Sequence, residues 1–205
     1  MTDFHSYSPR EGHGLTHDPF KALISPRPIG WISTVGKNGV NNLAPYSFFN
    51  AVCAAPPMIM FSSDGFKHSA TNAIETGAFV HNIVSLTLAD RMNLTSQSVD
   101  ENIDEFSHAG LDWVAGDVVD AVRVRDALAS MECVVTGHQI LKDRHGQDTQ
   151  SVMVIGEVVR VHIQTSILRD GMVDELALDM ISRLGYRSYG HTREIFEMVR
   201  PQART

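Results

Sequence analysis

The chain has 205 residues, of which 43% are hydrophobic and 20% charged, enough apolar content to bury a sizeable core and too balanced for a disordered segment. Its 17 basic against 24 acidic residues give a formal charge of −7 with no basic run, which disfavours a nucleic-acid partner. The two cysteines, Cys53 and Cys133, sit in apolar stretches without a C-x-x-C, and no leader-like segment or apolar run of about 18 residues occurs, so a reduced, cytoplasmic protein that does not cross a membrane is expected.

In chain order, residues 1–17 are polar and rich in Gly, Pro and His, an irregular arm that orders only by lying on another surface. A single domain is expected over 18–201. Asp18-Pro19 opens a short helix to about Ile24, with Asp as N-cap and Pro at the first helical position, and Pro26 ends it. Ile29 to Val35 is a strand, and Lys37-Asn38-Gly39 supplies a hairpin turn because Asn-Gly tolerates positive φ. Tyr46 to Val52 and Met58 to Phe61 are further strands, separated by Pro56-Pro57. A helix covers Ala70 to Thr76 and stops at Gly77, followed by the strand Phe79 to Val84 and a helical stretch from Leu88 to Ser96.

Residues 97–117 form a polar excursion anchored by Phe106, Leu111 and Trp113. Two long β runs, Ala129 to Leu141 and Val152 to Ile163, are joined by a polar hairpin with Gly146 near its middle. The tail from Val173 to Arg200 is mixed, with a helix near Glu175 to Ser182. Six or so strands with helical insertions, lacking regular β-α-β alternation, argue for a mainly β, antiparallel barrel with peripheral helices.

Common nucleotide and hydrolase fingerprints are absent: there is no G-x-G-x-x-G after a strand, no G-x-x-x-x-G-K-[ST], no H-E-x-x-H and no G-x-S-x-G. The ten histidines scatter. Only His13 and His17 share a metal-like spacing, in a segment not expected to be helical, so no metal site is expected.

Three stretches place polar groups among strand-like residues. They are Arg27 to Thr34, Asn42 to Asn50, and Phe61 to Asn72. The third combines hydroxyls, a glycine, Lys67 and a helix start, the donors an anionic phosphate requires. Each has an ordinary explanation when taken singly: a turn at Ser62-Ser63-Asp64-Gly65, a cap at Ser69, a solvated lysine.

Together, R-P-I-G-W-I-S-T, N-L-A-P-Y-S-F-F-N, P-P-M-I-M-F-S, K-H-S-A-T-N and F-V-H-N-I, with R-L-G-Y-R-S-Y and F-E-M-V-R-P in the tail, resemble the flavin-reductase-like, FMN-binding split-barrel family, which includes flavoredoxins. The resemblance runs from about Asp18 to Pro201. It implies an antiparallel Greek-key split β-barrel, a homodimer, and FMN as cofactor at the dimer interface. By motif position it places Ser33, Thr34, Ala44, Pro45, Tyr46, Ser47 and Asn50 around the flavin ring and ribityl chain. It places Ser62, Ser63, Lys67, Ser69 and Asn72 around the phosphate, with Asn82 nearby.

Arg183 and Tyr189 resemble tail residues that approach the flavin and are candidates for steering the nucleotide or acceptor, with a structural ion pair as the alternative for Arg183. Lys67-His68-Ser69 departs from a frequent K-D-T by lacking the carboxylate. Trp31, Phe48 and Phe49 are candidate ring walls or plain core. The implied activity is electron transfer from NAD(P)H through FMN to flavin or another acceptor, with an electron-acceptor protein or monooxygenase as possible partner. The alternative is a non-enzymatic FMN carrier without a nicotinamide site.

Overall fold

The computed structural model describes residues 3–201, so the first two residues of the expected arm lie outside the described residues. Helix α1 (Phe20–Leu23) follows the Asp18 side chain, whose Oδ1 accepts the Phe20 N–H at 2.9 Å. Then come β1 (Arg27–Pro28), β2 (Gly30–Val35), β3 (Asn41–Tyr46), β4 (Phe49–Ala54) and β5 (Pro57–Asp64). Helix α2 (His68–Thr76) ends at Gly77, whose φ of 77° gives the left-handed cap that glycine adopts without strain. Next are β6 (Ala78–Asn82), α3 (Ala89–Leu94), α4 (Glu105–Ala109), β7 (Trp113–Ala115) and β8 (Val122–Val124). The long hairpin β9 (Ala129–Lys142) and β10 (Asp148–Ile163) leads to β11 (Leu168–Arg169), β12 (Met172–Val173), α5 (Glu175–Leu178), β13 (Ile181–Arg183) and β14 (Tyr189–His191).

Seven strands form one antiparallel sheet in the order β3-β2-β6-β9-β10-β5-β4. Its two edge strands, β3 and β4, are consecutive in the chain and are joined only by Ser47-Phe48, so the sheet must curl until its edges meet. The expected single strand over Tyr46 to Val52 is therefore two strands belonging to opposite edges. Two glycines mark the close approach. A Cβ on Gly30 would fall 2.4 Å from the Phe49 ring, and one on Gly156 would fall 2.4 Å from Phe79.

Strand alternation sends neighbouring side chains to different layers. Ile32 joins Phe49, Phe61, Phe79, Val152 and the Ala70–Ala73 face of α2 inside the barrel. Trp31, fully buried, joins Leu43, Met92, Phe106, Val124 and Ile181 in a second core under α3 and α4. The Trp31 indole donates to Thr95 Oγ1 at 2.9 Å, so Trp31 is core and not a ring wall.

Two further expectations change. Trp113 is 44% exposed on the small β7–β8 ribbon and lies outside the buried core, whereas Phe106 and Leu111 are buried as expected. The tail helix stops at Leu178, because Asp179 turns left-handed at φ 43°, and Ile181–Arg183 becomes the central strand of a β1-β13-β14 sheet. The arm lies on its own chain, with Arg10 3.6 Å from Asp143 and the His17 ring 5.6 Å from that of Tyr186.

Candidate functional site

A cleft runs along the outer side of edge strand β3. Its larger chamber, about 680 Å³, lies between β3, α3 and the β13–β14 pair and is lined by Ile29, Pro45, Ser47, Asn93, Ser96, Arg183, Arg187 and Tyr189. The smaller, about 340 Å³, is lined by Ala44, Tyr46, Lys67, His68, Ser69, the run Thr95 to Val99, and Glu105. Pro45 and Ser96 line both chambers, so the two form one elongated site. Each chamber by itself falls within the roughly 300–1,000 Å³ of small-molecule pockets.

Each end has its own construction. At the smaller chamber, Lys67 is the N-cap of α2, and the unpaired N–H groups of that nine-residue helix begin there. Behind it lies a buried polar framework. Ser69 Oγ donates to Asn42 Oδ1 at 2.6 Å, and Thr34 Oγ1 lies 3.4 Å from the same atom. The Asn42 amide and the Leu43 N–H both donate to Glu105 Oε2. Burial pushes the Glu105 carboxyl up to about 7, with the bonds from Leu43 and Asn42 pulling the other way. The Tyr46 phenol is raised above its usual range, first by burial, with the Ser69 and Ser63 hydroxyls opposing.

At the larger chamber, the Arg183 guanidinium stacks 4.4 Å over the Tyr189 ring and donates to the Tyr186 carbonyl at 2.5 Å. Arg27, buried, ties this sheet to the body by donating to Ile24 O at 2.7 Å, to Leu184 O at 3.0 Å and to Lys21 O. Burial and the nearby Arg183 charge both lower the Arg27 pKa. On a chain of formal charge −7, this cleft collects Lys67, Arg183 and Arg187 against Asp90 and the buried Glu105, a local excess of basic groups. That is the local sign an anionic ligand needs.

A family model described as flavin reductase like domain matches residues 23–177. The chain belongs to this family. Nitrilotriacetate monooxygenase component B from Bacillus cereus superposes with a TM-score of 0.87 at 33% identity, over 97% of this chain and 100% of that one. A 2-nitrobenzoate 2-nitroreductase from Pseudomonas fluorescens superposes at 0.80 with 27% identity, covering 89% and 88% of the two chains. A protein of Aquifex aeolicus is 33% identical over 173 residues, 82% of this chain and 85% of that protein. The split-barrel architecture and the flavin-reductase-like assignment thus stand together.

Within this flavin-reductase-like frame the cleft gathers Ala44, Pro45, Tyr46, Ser47, Lys67, Ser69, Arg183 and Tyr189. Asn72 lines an adjoining hollow with Lys37 and Glu75 and donates to Thr34 at 3.3 Å. The remaining expected residues are placed differently. Ser33 Oγ is sealed inside, donating to Val122 O at 2.5 Å and accepting from Asn82, whose Oδ1 takes the Val124 N–H. Both polar side chains therefore brace β2, β6 and β8 and face no chamber. Thr34 is equally buried and supports Asn42 and Asn72 from behind.

Asn50 Oδ1 accepts from its own strand neighbour Ala51 N–H at 2.8 Å, and Ser62 and Ser63 lie on β5 opposite Met153 and Val152 of β10. None of these three lines the cleft. Ser69 lines it, yet its hydroxyl hydrogen is already committed to Asn42.

The sequence brought in Asn42 and Arg187 only as members of longer stretches, and the Thr95-Ser96-Gln97-Ser98 run and Glu105 were passed over as site residues. Four consecutive hydroxyl or amide side chains directly after a helix end were the available signal. Asp117, Glu132 and His162 also cluster. Both Glu132 oxygens already accept, from the Asp117, Val118 and Val119 N–H groups and from His162 at 2.6 Å, so that carboxylate anchors the 117–119 loop.

Proposed function

We propose that this chain is a flavoprotein oxidoreductase that holds FMN along the two-chamber cleft and passes electrons from NAD(P)H to free flavin or another acceptor. The observation that carries the reading is the continuity of the cleft. An open chamber beside Pro45 and the Arg183–Tyr189 stack leads directly into a narrower one with Lys67, a helix start and a run of hydroxyls. These donors suit a phosphate monoester, and the wider chamber suits a flat ring, so the residues present fit FMN. When bound, FMN supplies the hydride-accepting ring.

The chain's own part is positioning. Lys67 and the α2 N-terminus neutralise phosphate charge, Ser96 to Ser98 offer further donors, and Ile29 with Pro45 gives an apolar wall. Arg183 and Arg187 attract an incoming anionic nucleotide or acceptor to the open side. A second copy would cover apolar surface left bare, including half-exposed Val52 on β4 and the strongly exposed Phe196 and Met198 of the tail. That supports a homodimer.

Titration of the purified protein with FMN, followed by anaerobic mixing with NADH and with NADPH, tests the reading. Tight FMN binding and rapid flavin bleaching are expected. Binding without bleaching by either nucleotide would leave an electron carrier, and absence of flavin binding would remove the proposal. Light scattering of the holoprotein should give the dimer mass.

A further inference from the structure

Electron transfer leaves one buried acid of the cleft without a task. Glu105 is only 4% exposed, yet it lines the smaller chamber together with Lys67, His68 and Ser69. It sits in the first turn of α4, where the Asp104 side chain caps the helix by accepting the Ser107 N–H at 3.0 Å. Through Asn42, which donates to Glu105 and accepts from Ser69, its charge is connected to the start of α2, where the phosphate donors converge. A carboxylate and a phosphate dianion sharing a desolvated chamber repel one another unless one of them is neutralised.

The charged groups around Glu105 do not neutralise it. Asp104 on its own helix adds repulsion and raises the carboxyl further. From β3 comes the Tyr46 phenol, itself raised. From α2 come Lys67 and His68, and the connecting loop brings Asp100 and Glu101. Arg91 of α3 is engaged with the Gly110 carbonyl, and His108 of α4 with Gln97. Among the described residues lining this chamber, Lys67 is the one fixed cation, and the phosphate needs it.

We propose that Glu105 is a positioning residue that couples phosphate binding to proton uptake: the smaller chamber accepts a phosphate monoester when Glu105 is neutral and resists it when Glu105 is ionised. This rests on the FMN reading of the cleft. Burial holds the carboxyl at about 7, so both states are present near neutrality. A phosphate monoester loses its second proton near pH ~6 and is already a dianion above that. The residual pH dependence then belongs to the protein.

The test is flavin affinity between roughly pH 6.5 and 8.5, read by fluorescence quenching, for the parent and Glu105→Gln with FMN and with riboflavin. One linked proton makes the parent's FMN affinity fall towards about tenfold per pH unit on the alkaline side. Riboflavin, which lacks the phosphate, should show no slope, and Glu105→Gln should flatten the FMN slope. Calorimetry of the unaltered protein in buffers of different ionisation enthalpy gives an independent reading: close to one proton taken up per FMN at about pH 8 and none per riboflavin. A slope retained by Glu105→Gln, a slope shared by riboflavin, or no proton uptake overturns the coupling while leaving FMN in the cleft. Failure of FMN to bind at every pH overturns the coupling and the flavin reading together.

Discussion

The floor beneath the cleft and the rim around it use the same kinds of polar residue for different ends. In the floor, Ser33, Asn82, Thr34, Asn42 and Glu105 are buried and bonded to one another or to strand backbone. At the rim, Lys67, Ser96 and Arg187 are exposed, and Arg183 stacks on the half-exposed Tyr189. A buried hydroxyl or amide whose bonds are satisfied internally holds strands in register, and breaking it costs folding free energy. A rim side chain with open valences costs the fold little and is free to meet a ligand. The floor should therefore answer to stability measurements and the rim to binding and turnover.

The largest expected effect tests two buried titratable groups through pH, Glu105 of the floor and His81 beside Phe49. His81, 3% exposed on β6 with its ring 4.4 Å from that of Phe49, is pushed by burial down to about 3 from 6.5. Glu105 is raised to about 7 from 4.5. As pH falls below 6.5 the unfolded chain protonates His81 while the native one does not, so the His81 contribution destabilises. Over the range from 7 down to 4.5 the native chain holds the Glu105 proton that the unfolded chain still releases, so that contribution stabilises. Each has a slope of about 1.4 kcal/mol per pH unit, giving opposed changes of up to about 3 kcal/mol between pH 6.5 and 4.5.

The parent should therefore show a nearly flat urea midpoint across that interval. His81→Leu should become more stable as pH falls, and Glu105→Gln less stable. Flat profiles in both variants would mean that neither group is buried in the native chain.

A smaller effect, confined to the rim, is expected at Lys67. If FMN lies in the cleft as proposed, Lys67→Ala removes a charge-assisted contact to its phosphate worth about 1.5–3 kcal/mol, or roughly ten- to a hundredfold in FMN affinity. The side chain is exposed at a helix start, so the thermal midpoint should hardly move. Riboflavin affinity should be unchanged. Equal FMN affinity in the variant and the parent would take the phosphate away from this end of the cleft.

Local chemistry carried much of the fold into plain view. Asn38-Gly39 and Gly146 mark hairpins with positive φ, Gly77 stops α2, and the two long β runs are continuous in sequence and in structure. The break at Ser47-Phe48 was not legible, because the apolar pattern from Leu43 to Cys53 runs on without glycine and only the closing of the barrel divides it. Ile181 and Ser182 looked like the end of the helix begun by α5, and the pairing of β13 with Arg27-Pro28, far away in sequence, decides otherwise.

The candidate site divided along the same line. Lys67, Pro45 and Tyr46 were legible as a motif, whereas the difference between Ser33, turned inward, and Ser96, turned outward, depends on which face each backbone position presents. Glu105 could not be distinguished by eye from Asp100, Glu101 and Asp104, its acidic neighbours in the same polar excursion. Only its placement under β3 separates them.

The smallest change in stability and the most selective change in function should come from Arg183. Among the described residues its guanidinium meets the Tyr189 ring and the Tyr186 carbonyl and no carboxylate at ion-pair distance, so a stack at the mouth of the larger chamber stands where a structural ion pair was the alternative. An exposed cation–π contact contributes about 0.5–1 kcal/mol, which sets the expected loss of stability for Arg183→Ala. In the proposed placement the phosphate lies in the other chamber, so FMN should remain bound. Hydride transfer, however, depends on holding the incoming nucleotide against the ring, and loss of orientation falls on rate before it falls on cofactor affinity. Arg183→Ala should therefore keep full FMN occupancy while stopped-flow reduction by NAD(P)H slows. Arg183→Lys, which keeps the charge but not the planar stack, should recover only part of the rate. An unchanged reduction rate at full occupancy would assign Arg183 to holding the β13–β14 turn and leave the steering of the nucleotide to Arg187, the other arginine lining the larger chamber.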